Sequence, residues 1–176
     1  MPDARIELPG AQLRRAYLLY VIEIRHGKQQ YFYVGQTGDN HYVTARPAFR
    51  RLSGHLDDRG GSTENQVYRY IATSILGHEG AASKAFFTKA VKQDVEDFLV
   101  EGAVLMHIYK VKPFKPDVSR DDHLRIVRSI TLMEKYVMIS FLEAGRSLIN
   151  KKILKPTGAC PYPKLLSRIK SDFGLS

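Results

Sequence analysis

The strongest constraint on the fold is a pair of β-forming runs set close together: "AYLLYVIEI", residues 16–24, and "YFYVG", which begins at Tyr31 after "RHGKQ". Both are rich in β-branched and aromatic residues, and a glycine lies between them, so they read as an antiparallel hairpin. A two-residue turn at His26-Gly27, with the glycine supplying positive φ, pairs Arg25 with Lys28 and sets Tyr20 directly opposite Tyr33. Opposed residues project from one face, so two tyrosines from separate strands stand side by side; by base rate such a pair is cross-strand packing. The second run stops at Val34-Gly35 and passes straight into "QTGD". That junction is either an ordinary turn or a strand end kept open beside Tyr33.

Helical patterns follow. "YVTARPAFRRLSGHL" reads as a short helix with Thr44 as N-cap and Pro47 in its first turn, ending before Gly60-Gly61, and it places Arg51 and His55 on one face. "TENQVYRYIATSIL" is stopped by Gly77; "SKAFFTKAVKQDVEDFLVEG" is capped by Ser83, with Phe87, Val91, Val95 and Phe98 as its apolar stripe. "AVLMHIYKVKPF" is a third strand, closed off by Pro113 and Pro116. The longest helix opens at "SRDD", where Ser119 and Asp122 have capping-box spacing, and ends at Gly145. Residues from 151 on read as a loop followed by a short basic segment.

The chain of 176 residues is 44% hydrophobic, enough for one domain with a real core. A lone cysteine, Cys160, excludes an internal disulfide framework and a Cys-rich zinc site. No stretch approaches the roughly 20 apolar residues of a membrane span, and the first ten residues carry no apolar h-region, so a soluble, cytoplasmic protein is expected. Lys and Arg total 27 against 18 Asp and Glu, a net charge of +9, which suits a polyanion partner as readily as a merely well-solvated surface. The basic residues gather at Arg46, Arg50 and Arg51, at Lys110, Lys112 and Lys115, and from Arg146 through Lys151 and Lys152 to Lys170. Acid concentrates at Asp94 to Glu101, which suggests one basic face and another turned away from it.

One residue breaks the pattern of the long helix. Val127, Ile130, Val137 and Phe141 recur at helical spacing, and the stripe between them passes through Glu134. A carboxylate in that register is protonated, paired with a cation, or holding a metal; taken alone, an ion pair with Arg or Lys is the base-rate answer. Glu143 reads as a solvated helix-end residue. His26, His41, His78, His107 and His123 show no metal-ligand spacing. No P-loop, dinucleotide fingerprint or Ser-His-Asp order is present.

Taken in order, "LLYVI" (18–22), "YVGQT" (33–37), Arg51 with His55 one turn on, Glu134 in a long helix and Asn150 in "LIN" resemble the GIY-YIG nuclease family. The resemblance covers most of the chain, interrupted at about 56–103. It implies an α/β (α+β) fold with a small, mainly antiparallel three-stranded sheet flanked by helices, a helical insertion at about 56–103 and a basic tail at about 151–176. It further implies a metal-dependent DNA endonuclease. Glu134 would be the only protein carboxylate on one Mg²⁺ or Mn²⁺ ion, an adequate arrangement for a hard cation that keeps its waters. Arg51 would neutralise charge on the phosphate, Tyr20 would serve as general base with Tyr33 beside it, and His55 would share proton transfer or hold a tyrosine or phosphate. Asn150 and Gly35 would be structural, and Arg46, Arg50, Lys151 and Lys152 would bind DNA, which is expected before RNA.

Departures from the family pattern are specific. Leu18 stands where the first motif has glycine, Gln36 stands where some relatives place a lysine, and the longer link from Tyr33 makes Arg46 or Arg50 an alternative to Arg51. Residues 56–103 match nothing in the family. A restriction role predicts a homodimer, since one site per subunit cuts both strands of a palindrome. The rival from another class is a non-catalytic nucleic-acid-binding module on a nuclease scaffold, which gives no reason to keep the five polar residues together.

Overall fold

The computed structural model describes residues 7, 9–59, 65–78 and 87–175. It is a mixed α/β fold built on a four-stranded sheet of order β3-β1-β2-β4. β1 (Ala16–His26) and β2 (Gln29–Gln36) form the expected hairpin. Its turn is Gly27-Lys28, with Gly27 at φ +57°, instead of His26-Gly27. His26 therefore pairs with Gln29, Tyr20 with Gly35, and Ile22 with Tyr33, so the predicted direct opposition of the two tyrosines is corrected. The slip amounts to two positions along the partner strand, which preserves the face. Tyr20 and Tyr33 remain same-side diagonal neighbours, their rings stacked with centroids 6.4 Å apart.

β3 (Ala103–Pro113) pairs antiparallel with the other edge of β1. The three-strand expectation falls short by one: β4 (Ser147–Leu148) adds two residues parallel to β2. The ladder continues past it, with Ile149 N–H donating to Phe32 C=O at 2.8 Å. β1 is central and covered on both sides, which explains why its sequence is apolar almost without alternation. Tyr17, Leu19 and Val21 face α4 (Arg120–Glu143) and α5 (Pro163–Phe173). Tyr20, Ile22 and Ile24 face α2 (Gln66–Tyr70), the π-helical turn Ile71–Ile75 that continues it, and α3 (Lys89–Val100). α2, the π-helical turn and α3 thus roof one face of the sheet. No helix among the described residues is long and apolar enough to cross a membrane.

Several helix boundaries differ from expectation. α1 (Ala48–His55) starts after Pro47, because Thr44 and Arg46 are committed to backbone hydrogen bonds with Asp39 and Thr37. α3 begins six residues after the expected cap: Thr88 accepts from Val91 N–H, while Ser83 and the Gly60-Gly61 stop lie outside the described residues. Phe87 precedes that helix but still packs on Tyr68, ring centroids 4.9 Å apart. Residues 163–173, read as part of a basic tail, form a helix whose Ile169 is fully buried against α4. The long helix has its expected cap, with Asp122 N–H donating to Ser119 Oγ at 3.1 Å and Gly145 in the left-handed region at φ +67°.

Candidate active site

The hairpin, α1 and the insertion bring Tyr20, Tyr33, Arg51 and His55 into one cluster, although α1 is linked to β2 by eleven residues. Tyr20 Oη lies 2.8 Å from His55 Nε2, and Arg51 Nε–H donates to the same oxygen at 3.1 Å. The His55 ring lies 4.5 Å from that of Tyr33. Gly35 is the floor beneath Tyr20: a Cβ there would stand 2.4 Å from the Tyr20 hydroxyl.

His55 Nδ1 is buried and has no hydrogen-bond partner among the described residues. Tyr20 Oη and His55 Nε2 share one hydrogen bond, so one buried donor lacks an acceptor in either tautomer: Nδ1–H when the Tyr20 O–H donates to Nε2, or the Tyr20 O–H when Nε2–H donates to it. Arg51 Nε–H is the donor that would stabilise a Tyr20 phenolate. In the resting state the phenol is protonated, because burial pushes it up to about 12 even with Arg51 alongside. Burial, helped by Arg51, pulls His55 down to about 3. His55 is therefore expected to stay neutral from pH 5 to 9, and its ring ¹⁵N shifts will hold constant across that range. A midpoint near 6.5 in those shifts would show an open, solvated ring.

Glu134 approaches from the other side. The core positions of α4 are Val127, Ile130, Met133, Val137 and Phe141, so the buried stripe passes through Met133 and Glu134 flanks it, half-buried. Its carboxylate opens into a cleft of about 580 Å³ that it shares with Tyr33, Lys135, Asn150, Lys151 and Lys152. Burial raises it to about 7, against the opposing pull of Arg51 and Lys135. The contrast with Glu23 is informative. That buried carboxylate is bonded to Arg25 and to His107, the latter at 2.9 Å, whereas Glu134 has no hydrogen bond or ion pair within 4 Å among the described residues. The paired-cation answer therefore does not account for Glu134.

A second cleft of about 550 Å³ is lined by Gln36, Asp39, Arg46 and Arg51. Arg46 and Arg51 thus face one cleft and Lys151 and Lys152 the other, while Arg50 is exposed on α1 and lines neither. Tyr20 lines neither cleft and is fully buried behind Arg51. Asn150 bridges to the strand: its Oδ1 accepts from Val34 N–H at 2.9 Å and its Nδ2 donates to Val34 C=O at 2.7 Å. Replacing that amide nitrogen by oxygen in Asn150→Asp sets two acceptors against each other, with a loss of about 1–3 kcal/mol expected in urea unfolding. An unchanged unfolding midpoint would show that the bridge holds nothing.

Sequence reasoning missed Gln66. The Tyr33 hydroxyl donates to its Oε1 at 3.0 Å, and Gln66 lines both clefts. It lies in the insertion, where no pattern signals it. Lys135 was legible only as the neighbour of Glu134. Of the five histidines set aside, His123 has a clear structural role: fully buried, it accepts from Tyr17 Oη and donates to Asp39 C=O, both at 2.7 Å, and so braces the loop that carries Arg46. No group of three or more His, Cys, Asp or Glu placed to hold a metal occurs among the described residues. The unpartnered Glu134 carboxylate fits a hard cation, which takes its remaining ligands from water and substrate phosphate. No family model, curated protein or solved structure matches the chain.

Proposed function

We propose that the chain is a metal-dependent endonuclease that hydrolyses phosphodiester bonds of DNA. The observation that carries this is Glu134, a carboxylate with no partner among the described residues in a cleft edged by three lysines, beside a tyrosine cluster in which Tyr20 accepts from Arg51 and is hydrogen-bonded to His55. A non-catalytic module has no use for an uncompensated acid in a surface meant for phosphate.

Glu134 would hold one divalent cation, Mg²⁺ or Mn²⁺, which when bound supplies Lewis-acid polarisation of the scissile phosphate. The remaining work belongs to the side chains. Tyr20 gives up its own proton to solvent before turnover, and the phenolate, which Arg51 favours, takes the proton of the attacking water and so returns to phenol. His55 acts through Tyr20 and stays neutral. Tyr33, its own proton committed to Gln66, offers its oxygen to orient the water. Arg51 touches Tyr20 and also forms part of the wall of the second cleft, so the guanidinium that meets the phosphate is the one that covers the base. Lys151, Lys152 and Arg46 hold the backbone, with affinity that falls steeply as salt rises.

The test is cleavage of supercoiled plasmid with Mg²⁺ or Mn²⁺, against EDTA and against folded Glu134→Ala. Metal-dependent nicks or discrete fragments that vanish in the variant support the nuclease, and discrete fragments indicate a restriction-type enzyme in place of a structure-dependent one. Salt-sensitive DNA binding without cleavage in either metal moves the chain to the binding-module class.

A further inference from the structure

The insertion carries a second feature that the hydrolytic chemistry does not use. α2 and its π-helical continuation present two faces: Val67, Tyr68, Ile71 and Ala72 are buried in the core, while Gln66, Arg69, Tyr70, Thr73 and Ser74 recur at i, i+3, i+4, i+7 and i+8 on the other. That polar face lines a cleft of about 560 Å³ together with Ile149, Asn150 and Lys151. The size is that of a small-ligand site. An amide, a guanidinium, a phenol, two hydroxyls and an ammonium make up its polar side chains besides Asn150, with no carboxylate among the described lining residues; Arg69 also donates through Nη2 to Asn65 Oδ1 at 3.2 Å, and the set suits an anion with hydrogen-bonding edges and a flat apolar part. Three of its residues, Gln66, Asn150 and Lys151, also line the cleft of Glu134 and Tyr33. An occupant is therefore covalently continuous with whatever lies at Glu134 only if it is one unit of a chain.

We infer that the cleft of the α2–π segment is a nucleotide subsite, holding the unit next to the scissile phosphate with its base against Tyr70 and its phosphate between Arg69 and Lys151. The inference rests on the endonuclease reading for the substrate class, and it gives the insertion a purpose: it is the wall along which the strand leaves the reactive cleft. A base held against Tyr70 is unstacked from its neighbour, so single-stranded or locally melted DNA is preferred over a relaxed duplex.

The test uses the full chain in EDTA, where nothing is cut. Mixed-sequence oligonucleotides carrying 5-iododeoxyuridine are bound, irradiated and mapped by peptide mass spectrometry, with affinity measured by fluorescence anisotropy. Expected are a crosslink in the peptide containing Tyr70, its loss in Tyr70→Ala together with a fall in affinity of roughly 5- to 100-fold, and near-wild-type binding by Tyr70→Phe. Ser74 is exposed, so Ser74→Asp tests the same cleft without disturbing the core and is expected to weaken binding at least fivefold. Wild-type binding by both Tyr70→Ala and Ser74→Asp, with crosslinks elsewhere, overturns the subsite, and plasmid cleavage persisting in those variants would leave the nuclease reading standing. Tyr70-dependent binding by a protein that cuts nothing keeps the subsite and removes the catalytic half of that reading. Failure to bind any nucleic acid removes both.

Discussion

Glu134→Gln is expected to abolish metal-dependent cleavage and, at pH 8 without metal, to raise the melting temperature. The two effects have one cause. Burial raises the Glu134 carboxyl from an ordinary 4.5 to about 7, so the folded protein holds that proton more tightly than the unfolded chain does. A raised folded pKa contributes stability that is fully present below about pH 4.5 and lost as pH rises through about 7. At 1.36 kcal/mol per unit, the ionised carboxylate then destabilises the metal-free fold by about 3 kcal/mol. Glutamine removes that charge, and a rise of roughly 5–10 °C follows for a chain of this size. At pH 4.5 the gap closes. Under the proposed metal site, Mg²⁺ or Mn²⁺ is expected to stabilise the wild type by binding the native state and to leave the variant where it was. Cleavage falls by about 10³-fold or more, the worth of several kcal/mol of charge stabilisation at the transition state. Equal melting at pH 8 would mean that Glu134 is compensated after all. Equal stabilisation of both proteins by metal would place the ion elsewhere.

What was legible in the sequence followed from local rules. Runs of β-branched and aromatic residues, a glycine in the turn and a Ser-x-x-Asp cap predict a hairpin and a long helix, and the structure has both. Glu134 stood out because a charge read within an apolar stripe is costly, and the structure corrects its place to the stripe's flank, with Met133 in the core position. Register was less secure. Two adjacent dipeptides, His26-Gly27 and Gly27-Lys28, each offer the glycine its positive φ, and only cross-strand packing chooses between them. The face survived the slip because it amounts to two positions, an even number. Thr44 misled for a related reason: its capping propensity is genuine, but the backbone there is already bonded to the loop from Thr37 to Asp39. β4 and Gln66 were not readable at all. Two residues of strand carry no periodicity, and a glutamine opening a helix inside an unmatched insertion has no pattern until Tyr33 is seen beside it.

The second large effect is expected at a residue with no side chain. Gly35 has no positive φ, so alanine suits its backbone and only space forbids it. A Cβ at this position would stand 2.4 Å from the Tyr20 hydroxyl and 2.5 Å from Cζ, well inside contact distance. Tyr20 has nowhere to go: it is fully buried, stacked on Tyr33, and its oxygen is tied to His55 and Arg51. Either the ring swings and both hydrogen bonds break, or β1 and β2 part around a central strand. Overpacking alone costs about 1–3 kcal/mol, and an orphaned buried donor adds a similar amount. Gly35→Ala is therefore expected to melt roughly 5–10 °C lower and to cut at least about 100-fold more slowly. Gly10→Ala, where a Cβ meets nothing within 4 Å, should change neither. Because the damage runs through one ring, emptying that space removes it: in a Tyr20→Ala background, Gly35→Ala should cost almost nothing, and the coupling energy of the cycle equals the single-mutant loss. Full additivity would mean that the two residues do not meet in solution. Tyr20 would then lack the fixed floor and the Arg51 donor on which its proposed role as base depends, and Tyr33, which already faces the Glu134 cleft, would become the tyrosine to test next.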